Sequence, residues 1–133
     1  GNVGSILRSA AALGVRQVVA LKGTAALWSP KVLRAGMGAH FALQLHEGLT
    51  LDELQPLSLP WVATSSHAPT LLHHCILPQP CAWVFGHEGR GVAPELAAQC
   101  AMTLRIAQPG GEESLNVAAA AAICLHESVR QRG

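Results

Sequence analysis

Three short segments, far apart in the chain, combine glycines with polar side chains in spacings that could form one ligand site. They are Asn2-Val3-Gly4 with Arg8, then Phe85 to Gly91 (FGHEGRG), then Glu113 to Val117 (ESLNV). Each segment lies where an apolar run or a glycine-rich turn gives way to a helix. Backbone N–H groups and polar side chains can be aimed at a ligand from such positions. We therefore expect the three segments to meet at one pocket.

The glycine-rich segment indicates which ligand chemistry to expect. Gly86-x-Glu88-Gly89-x-Gly91 follows an apolar strand and precedes a helix, but its spacing is not that of the dinucleotide fingerprint. Glu88 would repel a phosphate held by the backbone of this turn. A cationic or nearly neutral cofactor is therefore favoured over a phosphorylated one. The alternative is a tight turn with a solvated Glu88.

The other two segments also have purely structural interpretations. Ser114 could cap the last helix, with Glu112 and Glu113 complementing its dipole. Asn2 could be the N-cap of the first helix, and Arg8 could be an ordinary surface arginine. Taken singly, each segment leaves these alternatives open.

The elements that must position these residues alternate along the chain. Apolar periodicity and Gly, Pro and capping residues predict helices over 3–13, 29–35, 51–57, 93–99 and 114–130, and strands over 16–21, 40–45, 61–64, 81–85 and 102–106. Alternating strands and helices with nearly continuous apolar strands predict an α/β fold with a mostly parallel sheet covered by helices on both faces. The first helix has no strand before it, so we expect the natural protein to extend further toward its N-terminus.

Composition limits the class of protein. The 133 residues predict one domain, and 50% apolar with 13% charged residues argues against disorder. No apolar run is long enough for a transmembrane helix, and the first residues do not resemble a signal peptide. The net charge of +1 argues against a polyanion-binding surface over the whole molecule, although seven of the nine cations are Arg, which suits a local phosphate site.

The cysteines and histidines do not predict a metal site. Cys75, Cys81, Cys100 and Cys124 show no C-x-x-C pair, which favours reduced thiols over disulfides or zinc ligation. The cluster from His73 to Cys75 lacks a second pair of ligands at a suitable spacing. We therefore expect no metal.

In order, N-x-G-x-x-x-R, F-G-x-E-G-x-G and S-L-N-V before an alanine-rich helix resemble the SpoU (TrmH-like) RNA ribose methyltransferases of the SPOUT superfamily. The resemblance runs from Asn2 to about Arg130. It implies that residues 1–133 form the catalytic domain, without its first strand or any N-terminal RNA-binding domain. It also implies a deep C-terminal trefoil knot, whose loops at 84–91 and 106–117 bind S-adenosylmethionine, and a homodimer. The implied cofactor contacts are Thr64, Gly86, Ile106 and Leu115.

The reaction implied by the resemblance is methyl transfer to a ribose 2′-hydroxyl in tRNA or rRNA. Arg8 is the implied activating group, and Asn2, Glu88, Ser114 and Asn116 would position it, the ribose and the loops. Because arginine normally keeps its proton, two routes stay open: an RNA phosphate held by Arg8 takes the hydroxyl proton, or Arg8 itself takes part in the proton transfer.

One departure and two alternatives accompany the resemblance. Where many relatives have Pro-Met after the Ile106 position, this chain has Ala107-Gln108-Pro109. The alternatives are a catalytically inactive knotted RNA-binding module and a methyltransferase that acts on a base nitrogen. Reduced thiols and an RNA substrate imply the cytoplasm, or an organelle matrix if a transit segment precedes the chain.

Overall fold

The computed structural model describes residues 2–54, 58–86, 91–111 and 115–133. The chain divides into two compact units, 1–58 and 59–133. The described elements are, in order, α1 (Asn2–Ala12), β1 (Gln17–Leu21), α2 (Pro30–Gly36), a 3-10 helix (Ala39–Ala42), β2 (Gln44–Leu49), α3 (Leu51–Leu54), β3 (Trp61–Thr64), a 3-10 helix (Leu72–His74), β4 (Ala82–Val84), α4 (Pro94–Ala97), β5 (Met102–Leu104) and α5 (Val117–Arg132).

In the first unit, α1 and α2 pack against each other beside a parallel pair of strands. β1 and β2 pair in register from Gln17 opposite Gln44. At Gly4 of α1, an added Cβ would overlap the Ala35 side chain and lie 2.7 Å from the Val32 carbonyl oxygen of α2. Only glycine allows so close an approach of the two helices. The core beneath them consists of Leu7, Ala20, Leu27, Val32 and Ala39.

The end of α1 and the start of α2 form as the sequence predicts. After α1, Gly14 has a φ of 84° and the Val15 N–H donates to the Ala10 carbonyl at 2.9 Å, a helix stop that needs a residue in the left-handed region. At the start of α2, the Ser29 hydroxyl accepts from the Val32 N–H at 3.4 Å, and Pro30 occupies the first helical turn.

The predicted strand over 40–45 is wrong in its first half. Residues 39–42 form a 3-10 helix, and β2 begins at Gln44 and continues to Leu49. The cause is His40, whose side chain is buried and whose Nε2–H donates to the Leu27 carbonyl at 2.6 Å. The hydrogen bond and burial of this one side chain outweigh the strand preference of its neighbours.

In the second unit, three parallel strands lie in the order β4-β3-β5. The central strand β3 is buried at Trp61, Val62 and Ala63, as expected for a strand covered on both faces. The core consists of Val62, Leu72, Leu77, Leu104 and Cys124, the last of these on α5. β4 and β5 are shorter than predicted; beyond β5, only an isolated bridge joins Arg105 to Leu71.

The predicted α/β class with parallel strands and helices is confirmed. The single predicted sheet is not observed: the described residues form a two-stranded and a three-stranded sheet, both parallel. Helix lengths also differ from expectation. α4 covers only 94–97 of the predicted 93–99, α3 is described over 51–54, and positions 55–57 of that predicted helix lie outside the described residues.

Candidate functional site

Three of the predicted cofactor residues lie at one edge of the second unit's sheet. Thr64 is the last residue of β3, Gly86 follows the end of β4 by two residues, and Ile106 follows the end of β5 by two. The strands are parallel, so their carboxyl ends share an edge, which is where open α/β sheets bind ligands. The Ser65 N–H donates to the Leu104 carbonyl at 2.9 Å and joins two of these strand ends.

Gly86 occupies a position with no space for a side chain. An added Cβ would overlap the carbonyl group of Gly91 and the backbone nitrogen of Val92. The loop that leaves β4 therefore returns close to its own start, with backbone facing backbone. Glu88, the polar residue predicted in this loop, lies among residues 87–90, outside the described residues.

Ile106 also lines a groove of about 420 Å³ beside α5. The lining residues are Leu72, His73, Ile106, Ala107, Ala122, Ile123, His126 and Glu127. Of these residues, only Ile106 was predicted from the sequence as a cofactor contact, and His73 had been considered only as a metal ligand. The i, i+3, i+4 spacing of the four α5 residues shows that they share a helix face. The spacing could have identified the α5 wall of the groove from the sequence. It could not have identified the other lining residues, which come from distant segments.

Gln108, four residues after the end of β5, carries a buried acceptor. Its side-chain Oε1 has no hydrogen-bond partner within the described part of the chain. Buried polar atoms are usually satisfied, so an acceptor left open marks a place where a donor from a ligand or from water would be stabilised. Gln108 belongs to the Ala107-Gln108-Pro109 segment, in which this chain differs from the Pro-Met of many SpoU-like proteins. The burial of its side chain was not predicted from the sequence.

The third segment leads into α5 through Leu115 and Asn116. Asn116 is the N-cap: its Oδ1 accepts from the Ala118 N–H at 2.9 Å and from the Ala119 N–H at 3.2 Å. The helix therefore begins at Val117 and not at position 114 as predicted, and Asn116 has the N-cap role that the structural alternative gave to Ser114. Ser114 itself lies outside the described residues, and Leu115 is 36% exposed.

The first segment belongs to the first unit. α1 includes Asn2, so Asn2 lies in the first turn of the helix and not before it as the predicted N-cap. Arg8 is exposed, whereas its neighbour Leu7 is almost completely buried. The helix thus anchors itself through Leu7 and presents the Arg8 guanidinium to solvent.

A polar network near the end of α5 holds the 75–77 segment in place. The Glu127 carboxylate accepts from Arg130 Nε at 2.8 Å and Nη2 at 2.6 Å, and from Gln131 Nε2 at 2.8 Å. Gln131 also donates to the Cys75 carbonyl and accepts from the Leu77 N–H, both at 2.8 Å. The hydrogen bonds from Arg130 and Gln131 lower the pKa of Glu127 to about 2.

The cysteines are free thiols in the structure. Burial raises the pKa of Cys124 to about 12 and also raises the pKa of Cys81 and Cys100. Such thiols are poor nucleophiles. Over residues 2–54, 58–86, 91–111 and 115–133, no three His, Cys, Asp or Glu side chains cluster as metal ligands, and no helix could cross a bilayer.

Comparison with known proteins gives one family. The model of the SpoU rRNA Methylase family matches residues 1–126. Two relatives named 23S rRNA (guanosine-2'-O-)-methyltransferase RlmB are similar over 98% of this chain: that of Bordetella pertussis is 36% identical and is covered over 55% of its length, and that of Coxiella burnetii is 38% identical and covered over 54%. The chain thus spans about half the length of the curated relatives it matches.

Solved structures show the same fold. The SpoU methyltransferase AviRb from Streptomyces viridochromogenes, in complex with the cofactor AdoMet, matches 98% of this chain and 55% of its own with a TM-score of 0.91 and 30% identity. A putative RNA methyltransferase of the TrmH family from Porphyromonas gingivalis matches 100% of this chain and 55% of its own, with a TM-score of 0.89 and 38% identity.

Proposed function

The chain belongs to the SpoU rRNA Methylase family, and from this premise we propose that it transfers a methyl group from S-adenosylmethionine to a ribose 2′-hydroxyl of RNA. Similarity to relatives named rRNA 2'-O-methyltransferases and to an AdoMet complex supports the proposal. The observation that carries it is the position of Thr64, Gly86 and Ile106 at one carboxyl edge of parallel strands, with no space for a side chain at Gly86.

The residues at this edge suit S-adenosylmethionine. The tight backbone at Gly86 favours a ligand bound by main-chain groups, and the open Oε1 of Gln108 can accept from an amino group. S-adenosylmethionine has two such donors, on its adenine and on its methionine part, and it has no phosphate that would need a cationic cradle. Leu115, partly exposed beside the N-cap of α5, would add an apolar contact. When bound, the cofactor would supply an electrophilic methyl group on a sulfonium.

The other predicted residues would act on the RNA and on the loops. Arg8, an exposed cation on α1, would bind an RNA phosphate and so orient the ribose, and the hydroxyl proton would pass to that phosphate. Asn116 would hold the turn at 115–117 through its cap hydrogen bonds. Asn2, Glu88 and Ser114 complete the proposed set of positioning residues.

The finer features of the family form part of the same proposal. We place a trefoil knot at the loops 84–91 and 106–117, and a homodimer interface on α1 and α5. Ile123, 41% exposed in the middle of α5, supports the interface because an exposed isoleucine is stabilised when a partner covers it. The free thiols support a cytoplasmic location. No metal is needed for this reaction.

Cofactor binding tests the proposed site independently of any RNA. Titration calorimetry with S-adenosylmethionine should show binding by the wild-type protein and a loss of at least about tenfold in affinity for Gly86→Ala, because the added methyl group must push Gly91 and Val92 away. Gly110→Ala adds the same methyl group in the other proposed cofactor loop, where it meets nothing within 4 Å, so comparing the two variants separates crowding at Gly86 from a general effect of changing these loops. Absence of binding by the wild-type protein would favour an inactive RNA-binding module.

A further inference from the structure

The charges of this chain are unevenly divided along its length. Residues 1–46 contain five Lys or Arg and no Asp or Glu, whereas residues 47–133 contain four Lys or Arg and eight Asp or Glu. The overall net charge of +1 hides this asymmetry. All five of these cations belong to the first compact unit, which also contains the three acidic residues Glu47, Asp52 and Glu53. The stretch 1–46 is therefore cationic, and a cationic stretch suits a polyanionic partner.

Large apolar side chains are exposed in the same part of the chain. Phe41 is 86% exposed, Met37 69% and Trp28 49%. Single exposed hydrophobic residues are common on protein surfaces, but four within 14 positions, counting Leu33 and including two aromatic residues, are not explained by chance exposure alone. None of these side chains belongs to the core of the first unit.

Buried His40 contacts Trp28 and directly precedes Phe41 in the chain. Its ring lies against Trp28 with the centroids 4.9 Å apart, and its Nε2–H donates to the Leu27 carbonyl at 2.6 Å. Phe41 is the next residue, in the 3-10 helix that starts directly after α2 and its flanking Met37 and Gly38. The loop before α2 and the turn after it are therefore tied together, so the exposed rings need little ordering on binding.

Two cations lie on α2 between these aromatic residues. Lys31 and Arg34 are three residues apart, so they share a side of the helix, and both are exposed. α2 contains no acidic residue. One carboxylate contacts the loop before α2: Glu47 Oε2 accepts from the Leu27 N–H at 3.0 Å. The two cations Lys31 and Arg34 outnumber this carboxylate, so the charge around α2 is positive on balance.

We propose that Trp28, Lys31, Arg34, Met37 and Phe41, named here the α2 surface, bind a single-stranded segment of RNA. Exposed aromatic rings stack on unpaired bases, and cations at helical spacing contact the phosphates between them. A duplex would offer the phosphates but not the base faces. The inference deepens the proposed function, because it assigns to the first unit the contact with unpaired nucleotides of the RNA substrate.

Fluorescence anisotropy with a labelled 12-nucleotide single-stranded RNA, and with the same strand in a duplex, tests this surface. Phe41→Ala should weaken single-strand binding roughly 5- to 150-fold, the effect of one lost base stack, and should affect the duplex far less. Lys31→Ala and Arg34→Ala should each lower the slope of log affinity against log salt by about 0.7. Ile76→Ala and Arg132→Ala, which remove an exposed apolar residue and an exposed cation from the second unit, are the matched controls.

A spectroscopic readout supports the assignment without relying on the loss of binding. Trp28 is the exposed tryptophan, while Trp61 is 8% exposed and Trp83 is half-buried. Single-stranded RNA should quench the tryptophan emission of the wild-type protein, and Trp28→Phe should remove most of that quenching while keeping a ring against His40. Circular dichroism of each variant checks that it is folded.

Three results would overturn the inference. The first is that Phe41→Ala binds single-stranded RNA with an affinity within twofold of wild type, and that Trp28→Phe leaves the quenching of tryptophan emission by RNA unchanged. Another is equal weakening of single-strand and duplex binding by Phe41→Ala. A third is self-association in sedimentation that Phe41→Ala abolishes with RNA affinity unchanged, which would assign the surface to a second copy of the chain. Absence of methyl transfer together with surface-dependent RNA binding would contradict only the proposed enzymatic function.

Discussion

At the scale of single residues, Gly36 shows how little space the first unit leaves at its helix ends. An added Cβ would lie 2.9 Å from Cε1 and 3.0 Å from Nδ1 of the His40 ring, which is buried and held by Leu27. The ring cannot move without breaking that hydrogen bond. Gly36→Ala should therefore lower the free energy of unfolding by about 1–3 kcal/mol in urea denaturation. Gly110→Ala, with open space around it, should change it by less than about 0.5 kcal/mol; equal effects of the two substitutions would refute this account of His40.

Glu127 predicts a pH dependence of stability. Hydrogen bonds from Arg130, and then from Gln131, lower the pKa of this carboxyl from its ordinary value of 4.5 to about 2 in the folded protein. Because the folded pKa lies below the unfolded one, the stabilisation is complete above pH 4.5 and is lost as the pH falls toward 2. Urea denaturation between about pH 6 and pH 3 should show a steeper loss of stability for the wild-type protein than for Glu127→Gln. Parallel pH profiles would show that the carboxylate is not stabilised by this network.

At the scale of elements, Asn116 in the turn before α5 has two roles: it caps the helix, and we propose that it also positions the reacting groups. Asn116→Ala removes the acceptor of two backbone N–H groups and should cost about 1 kcal/mol of stability, measured by thermal denaturation. Asn116→Asp keeps an acceptor at the positive end of the helix and should retain most of that stability. If Asn116 also positions the reacting groups, both variants should lose methyl transfer. An Asp variant with normal turnover would limit Asn116 to capping.

The elements also show where sequence reasoning succeeds and where it does not. The starts and stops of α1, α2 and β3 follow from local signals such as Gly14, Ser29 and the apolar run at 61–64, and they were predicted to within one or two residues. The turn at 39–42 was missed because its cause is not local. The buried His40 side chain forms a hydrogen bond with the Leu27 carbonyl, 13 residues earlier in the chain. The residues next to His40 give no signal that predicts a contact with a residue so far away.

At the scale of the whole molecule, the family and the order of the motifs could be predicted, but the strand arrangement that positions them could not. The resemblance predicted Thr64, Gly86 and Ile106 as contacts of one cofactor, and the strand order β4-β3-β5 shows that they lie at one edge of a sheet. The division into two parallel sheets, and the open acceptor on Gln108, likewise depend on contacts between distant segments. The uneven distribution of charge can be read from the sequence. It points to a nucleic-acid surface only together with the exposure of the Phe41 and Trp28 rings, which the sequence does not reveal.

The central claim is ribose methylation that depends on Arg8. Its most direct test is to incubate the protein with RNA and methyl-labelled S-adenosylmethionine, digest the RNA to nucleosides and locate the label by mass spectrometry. The account predicts label on the ribose 2′-oxygen with the wild-type protein and with Arg16→Ala, a matched exposed arginine of the same unit. It predicts a loss of at least about a hundredfold with Arg8→Ala, with cofactor affinity retained. Label on a base nitrogen, or near-normal ribose methylation by Arg8→Ala, would contradict it.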